Sequence, residues 1–120
     1  MAYEREARPT IIVSHQPGLS QGNLAEVLYG IEEEGIPYEV REAPSFDAKY
    51  LAHEAALESR LGIGVGATSS TVVVTLEKLP EERPYITEQL NLRRALDRAV
   101  GANAARLVKR MPLRDLHNEE

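Results

Sequence analysis

The stretch TIIVSHQPGLSQGNLAEVLYGIEEEGIPYEVRE, residues 10–42, carries in order the patterns of a strand, a loop, a helix and a second strand. Three β-branched residues in succession at 11–13 are typical of a buried strand. Apolar residues then recur at helical spacing over 24–31, and Gly35 follows as a helix stop. Alternating apolar and polar residues over 38–42 predict a second strand, parallel to the first because a helix connects them.

The rest of the chain continues the alternation, with patterns for three more strands and two more helices. These are a helix at 48–59, strands at 61–67, 70–80 and 82–87, and a helix from about Glu88 to 110. The order β-α-β-α-β-β-β-α predicts an α/β layered domain. Its sheet is expected to be mostly parallel, with at least one antiparallel strand because a short turn joins the third and fourth strands. We expect one domain over residues 1–120, with flexible tails at 1–8 and 117–120.

Local signals set the expected helix ends. Ser45 is a candidate N-cap for the second helix, with Asp47 as an acidic residue in the first turn. In the third helix, Gly101 is expected to break or kink the backbone and Asn103 to cap the continuation. Met111 and the proline after it then close the helix.

Composition excludes several classes of function. The net charge of −5 argues against a nucleic-acid-binding surface. The chain has no cysteine, so a disulfide, a catalytic thiolate and a cysteine zinc site are excluded. The charged start MAYEREARP does not read as a signal peptide, and the chain has no apolar run long enough for a membrane span. The expected location is the cytoplasm, with association to a bacterial microcompartment left open.

Glycines and histidines do not assemble into a catalytic or nucleotide site. Gly62, Gly64 and Gly66 have the spacing G-x-G-x-G and lead into a strand, whereas a dinucleotide fingerprint leads into a helix. They instead indicate a strand that another backbone or a ligand approaches closely. His15 ends a strand, and Ser14 beside it points to the opposite face, so the pair cannot act as nucleophile and base. The sequence predicts no catalytic residues and no enzyme.

Three carboxylates, Glu32, Glu33 and Glu34, fall in the last turn of the first helix, where the macrodipole disfavours anions. On a helical wheel Glu33 lies roughly 180° from the apolar stripe, and Glu32 and Glu34 flank it. The outer face also has small residues and a Tyr, which suit docking by a partner. Its other members are Gly22, Glu26, Tyr29 and Gly30. Two interpretations stay open at this point: a solvated acidic patch, or a partner or metal site.

Two segments give a more specific indication. LYGIEEEGIPYEV (28–40) and NAARLVKRMPLRDL (103–116) resemble the corresponding segments of the small subunit of the diol and glycerol dehydratase reactivating factors. GIGVGATSSTVVVTLEKLP (62–80) is similar to that family as well, so the resemblance extends from about residue 9 to 116. It implies a three-layer α/β/α sandwich with a five-stranded mixed sheet, of the anticodon-binding-domain-like or dehydratase medium-subunit-like type.

The resemblance implies a chaperone-like role without catalysis. These factors promote the exchange of damaged cobalamin for intact adenosylcobalamin in the dehydratase, and their large subunit holds the ATPase. The small subunit resembles the dehydratase medium subunit, so it can change places with it. In the family, a glutamate of the EEEG segment reaches a divalent cation, Mg²⁺ or Ca²⁺, at the boundary with the large subunit. By position this glutamate is Glu33, and the chain alone is expected to bind no cofactor.

Two alternatives stay open. The chain could be a medium-subunit-like component of an adenosylcobalamin-dependent dehydratase. It could also be a small α/β domain that binds a metabolite beside His15 and the loop at 14–22. An isolated chain with an unfilled partner face could, in addition, pair with a second copy as a homo-dimer.

Overall fold

A computed structural model describes residues 8–117, where five strands, three α-helices and one 3₁₀ turn follow each other in the predicted order. Their bounds are β1 (Ile11–His15), the 3₁₀ turn (Gln21–Leu24), α1 (Ala25–Glu33), β2 (Tyr38–Glu42), α2 (Ala48–Glu58), β3 (Ile63–Ala67), β4 (Thr71–Leu76), β5 (Ile86–Gln89) and α3 (Arg94–Lys109). The expected tails lie outside the described residues except for Arg8 and His117.

The strands form one sheet in the order β2-β1-β3-β4-β5. β1 pairs in parallel with β2 and with β3, while the pairs β3–β4 and β4–β5 are antiparallel. Four of the five strands therefore run in one direction, and only β4 runs against them. The predicted mixed, mostly parallel sheet is confirmed.

The sheet is covered by α1 and α3 on one face and by α2 on the other. Ile11, Val13 and Val65 point toward α1 and α3, and they belong to the main apolar core of the domain. On the opposite face, an added Cβ on Gly64 or Gly66 would overlap the backbone of α2. These two glycines let α2 lie directly on β3, so the predicted close approach of another backbone and the three-layer sandwich are both confirmed.

The N-cap of α2 differs from the prediction. α2 begins at Ala48, so the residue before it is Asp47, whose carboxylate accepts hydrogen bonds from the amides of Lys49 (3.0 Å) and Tyr50 (3.4 Å). The Ser45 hydroxyl instead accepts a bond from the Asp47 amide at 3.1 Å. Ser45 therefore stabilises the turn before the helix and Asp47 caps the helix.

The third helix ends where it was predicted to, but it differs from the prediction at its start and at Gly101. It begins at Arg94 rather than near Glu88, because residues 86–89 pair with β4 as the last strand. The expected strand at 82–87 is shifted for the same reason. α3 runs without a break through Gly101.

Asn103 lies inside α3 rather than at a cap. Its side chain is 1% exposed, and its amide nitrogen donates to the backbone oxygen of Arg114 at 3.0 Å. Its amide oxygen accepts from the Arg114 backbone nitrogen at 2.6 Å. Asn103 therefore anchors the segment that follows α3. The helix itself ends at Arg110, which has the left-handed backbone conformation.

Candidate functional site

The three glutamates at the end of α1 each have a partner within the chain. The Tyr38 hydroxyl donates to Glu32 at 2.6 Å, and this charged acceptor, with burial, raises the pKa of Tyr38 to about 12. The Arg98 guanidinium donates to Glu33 Oε2 at 2.6 Å. The Glu33 side chain stays about half exposed, at 48%.

Glu34 is held most firmly of the three, because two cations of α3 contact its carboxylate. Lys109 Nζ lies 2.8 Å from Glu34 Oε1 and Arg106 Nε lies 3.0 Å from Oε2. These bonds, with Lys109 as the larger contribution, lower the pKa of Glu34 against the opposing effect of its burial. Lys109 also donates to the Glu34 backbone oxygen at 2.8 Å, so it binds the negative end of the α1 dipole directly.

The expected uncompensated dipole penalty at residues 32–34 is therefore wrong. The cations that offset it come from α3, more than sixty residues along the chain. A helical wheel of α1 alone cannot show them, because it carries no information about which other element covers each flank.

Arg98 of α3 lies against the outer face of α1 and contacts three of its side chains. Its Nη2 and Nε lie 2.7 Å and 2.9 Å from Glu26 Oε1, and its Nη1 binds Glu33. The guanidinium carbon lies 5.4 Å from the centroid of the Tyr29 ring, within the range of a cation–π contact. The two carboxylates raise the pKa of Arg98 further, Glu26 more than Glu33. Three predicted site residues, Glu26, Tyr29 and Glu33, are thus brought together around one cation.

Gly30 does not lie on an open face, which corrects the prediction that it allows docking by an outside partner. It is buried, and an added Cβ would overlap the Arg98 backbone oxygen and lie 2.7 Å from the Ala102 nitrogen. Gly101 on α3 faces the backbone of Val27 in the same way. The close approach predicted from an in-helix glycine is real, but the partner is α3 of the same chain.

The remaining predicted residues are placed around this cluster. Gly22 lies exposed in the 3₁₀ turn before α1, and Tyr29 is 47% exposed. Glu32 is turned toward β2 and Glu34 toward the end of α3. The exposed residues of the predicted site are therefore Gly22, Tyr29, Glu32 and Glu33.

Glu33 fits a divalent cation only as one ligand among several. It offers a half-exposed carboxylate with one oxygen, Oε1, outside the Arg98 ion pair. Over residues 8–117, no group of three or more His, Asp or Glu side chains is arranged to hold a metal ion. A cation at this place would need its other ligands from a second protein.

Sequence reasoning missed the basic residues of α3 that face α1. Arg98 and Lys109 are 11 residues apart, which is about three helical turns, and Arg106 lies within about a quarter turn of both, so the three share one face. The same spacing in the sequence could have marked a cationic stripe opposite an acidic helix end.

Asp97 is a second missed residue, a carboxyl group that is 2% exposed in the first turn of α3. Its Oδ2 accepts from the Asn91 amide at 3.1 Å, and its Oδ1 has no hydrogen-bond partner among the described residues. Burial raises its pKa; the Asn91 bond opposes this rise, and the charge of Glu26 adds to it.

His15 does not line an open site. It is 6% exposed, and its Nδ1 lies 2.9 Å from the backbone oxygen of Gln16.

Within the described residues, no helix is long and apolar enough to cross a membrane.

Known proteins resemble this chain in sequence over most of its length. The family model of the dehydratase medium subunit matches residues 8–114. The propanediol dehydratase-reactivating factor small subunit of Citrobacter freundii is 42% identical over 110 residues, which cover 92% of this chain and 94% of that protein. The diol dehydratase-reactivating factor small subunit of Klebsiella michiganensis is 40% identical over 98 residues, covering 82% and 78%.

Solved structures share the fold as well. A chain of the diol dehydratase-reactivating factor complexed with ADP and Mg²⁺ superimposes with a TM-score of 0.84 at 37% identity, covering 89% of this chain and 98% of that one. A chain of a glycerol dehydratase reactivase gives a TM-score of 0.85 at 28% identity, covering 91% and 99%.

Proposed function

The chain belongs to the dehydratase medium subunit family, and we propose that it is the small subunit of a reactivating factor for a diol or glycerol dehydratase. Its likeness to reactivating-factor small subunits over most of its length is the observation that carries this proposal. The role is non-catalytic: the chain docks on a large subunit and acts by assembly. The same proposal places it in the cytoplasm.

The finer steps follow from this assignment. The large subunit would hydrolyse ATP, and the assembly would exchange damaged cobalamin for adenosylcobalamin while the small subunit changes places with the dehydratase medium subunit. In support, one structural neighbour is a complex with ADP and Mg²⁺. The glycine-rich β3 of this chain leads into the antiparallel β4 rather than a helix N-terminus, so a nucleotide is better placed on the partner.

The outer face of α1 is the part of this chain that we assign to the large subunit. Tyr29 is an exposed aromatic residue, a type that is enriched at interface hot spots. Glu33 lies one helical turn further on and can give a carboxylate oxygen to a divalent cation, with the other ligands supplied by the partner. A bound Mg²⁺ or Ca²⁺ would add a strong, directional link between the two proteins.

The alternatives have less support. The family name refers to dehydratase medium subunits, but the relatives described above are reactivating-factor small subunits that match over most of their length. A metabolite site beside His15 has no support from the geometry, since that side chain is buried and contacts the backbone of Gln16. Pairing of the isolated chain with a second copy stays a prediction.

The test is co-purification with a reactivating-factor large subunit, with and without Mg²⁺, followed by addition of the dehydratase. We expect a complex whose small subunit is displaced by the dehydratase. Glu33→Ala should weaken the Mg²⁺-dependent part of the association and leave the fold intact, because Arg98 keeps its bonds to Glu26. Glu82→Ala, which removes an exposed carboxylate from the β4–β5 turn, is the matched control. Equal binding by Glu33→Ala and the wild type would remove Glu33 from the interface.

A further inference from the structure

The Arg98 guanidinium is shared unequally between two carboxylates. Two of its nitrogens bind Glu26, whose side chain is 23% exposed. A single nitrogen binds Glu33, whose side chain is 48% exposed. The bond to Glu26 is therefore the sheltered half of the bridge, and the bond to Glu33 is the half that a docking protein can reach.

We propose that Arg98 is a built-in counter-ion that holds the Glu33 carboxylate while the partner is absent and releases it to a divalent cation when the partner docks. The inference rests on the proposed function, because it concerns the control of the same interface. It assigns a role to a residue of α3 that lies outside the acidic segment itself.

Competition follows from the chemistry of the two cations. A guanidinium and a hard divalent cation both seek carboxylate oxygens, and two positive charges on one carboxylate repel each other. With Arg98 in place, only Oε1 of Glu33 is free for a metal ion, and the positive charge of Arg98 stays within a few ångströms of it. Arg98 must move away from Glu33 before both oxygens can serve as ligands.

The exchange is feasible because Arg98 is not left alone when it releases Glu33. It retains its two bonds to Glu26 and its position beside the ring of Tyr29. Only one partly exposed ion pair is lost, and pairs of this kind contribute little to stability. The Glu33 carboxylate is thus paired with Arg98 before assembly, and breaking that pair requires little free energy.

Replacement of Arg98 tests the proposal through the Mg²⁺ dependence of assembly. With Arg98→Gln, we expect half-maximal association with the large subunit at an Mg²⁺ concentration about three- to tenfold lower than for the wild type. Arg94→Gln removes the same charge from an exposed position one turn earlier on α3, and it should leave the midpoint within about twofold. A circular dichroism spectrum shows whether each variant is folded.

A second measurement follows Arg98 in the wild-type protein. In a ¹⁵N-labelled chain, the Nη1–H signal of Arg98, which reports the bond to Glu33, should change little on adding the large subunit without Mg²⁺. It should shift on adding Mg²⁺, because the guanidinium then loses Glu33.

The outcomes separate this proposal from the function on which it rests. If the wild type assembles in an Mg²⁺-dependent way but Arg98→Gln has an equal or higher midpoint, Arg98 is not a competitor and this inference fails alone. A wild-type Nη1–H signal that does not respond to Mg²⁺ in the complex would also overturn it. Assembly without any Mg²⁺ dependence would remove both the metal role of Glu33 and this inference. Absence of assembly under all conditions would overturn the proposed function itself.

Discussion

Replacing Gly30 by alanine tests the closest contact between α1 and α3. The new Cβ would overlap the backbone oxygen of Arg98 and lie 2.7 Å from the Ala102 nitrogen. Both obstacles are backbone atoms of a continuous helix, so no side-chain rotation can remove them. Real Cβ contacts essentially never fall below 3.0 Å, and the two helices would therefore have to separate by roughly 1 Å.

Two opposing effects set the magnitude. Alanine in place of glycine inside a helix stabilises it by about 1 kcal/mol. Overpacking at a tight contact costs about 1–3 kcal/mol and can cost more when backbone must move. The separation would also loosen the ion pairs that join α1 to α3 near this crossing. We expect Gly30→Ala to lower the free energy of unfolding by about 1–2 kcal/mol, or the melting temperature by roughly 4–10 °C.

Urea unfolding of the isolated chain, followed by circular dichroism, measures this effect. Gly22→Ala is the control, because its Cβ would meet only the Ser20 hydroxyl at an ordinary 3.5 Å. It should leave the stability unchanged or raise it slightly. A Gly30→Ala chain as stable as the wild type, with weakened binding to the large subunit, would refute the crossing and restore Gly30 to an outer docking face.

Three further substitutions test individual polar groups. Asp97→Asn should raise the free energy of unfolding at pH 7, since it removes a charge that burial and the nearby Glu26 disfavour. Because the pKa of Asp97 is raised in the folded chain, the extra stability of the Asn variant should be absent below about pH 3.8 and should grow as the pH rises above that value. Urea unfolding at a series of pH values from 3 to 8 would show a constant stability difference if the carboxyl titrates normally. Asn103→Ala should cost about 1–3 kcal/mol and speed hydrogen exchange at the Arg114 amide, and unchanged exchange there would contradict the anchor. Glu34→Gln should cost about 1–2 kcal/mol in urea unfolding, because it removes two partly buried ion pairs, and a loss below about 0.3 kcal/mol would argue against them.

Much of the fold follows from local patterns. The apolar stripe of α1, the stop at Gly35 and the alternation over residues 38–42 each depend on a few neighbouring residues, and the structure confirms them. The boundary between β5 and α3 was predicted less well, because Leu92 fits a helical stripe in sequence but is 60% exposed. Pairing with β4 sets that boundary, and the spacing of apolar residues in the sequence does not reveal this pairing.

The candidate site was predicted in part. The wheel correctly grouped Glu26, Tyr29 and Glu33 on one side of α1, because their relative angles depend on that helix alone. It could not supply Arg98, since the angle at which α3 crosses α1 depends on tertiary packing. The cost assigned to the glutamates was overestimated for the same reason.

The two in-helix glycines, Gly30 and Gly101, explain each other once the helices are considered as a pair. Each was assigned a separate role from the sequence, an outer docking face for one and a kink for the other, yet each faces the backbone of the opposite helix. The backbone oxygen that Gly30 meets belongs to Arg98, whose side chain joins Glu26 to Glu33. The close crossing therefore fixes the base of the Arg98 side chain while its charged end reaches both carboxylates. A partner that draws Glu33 away from Arg98 acts on a cation whose backbone is held in place, so the response should be confined to the side chains at the surface.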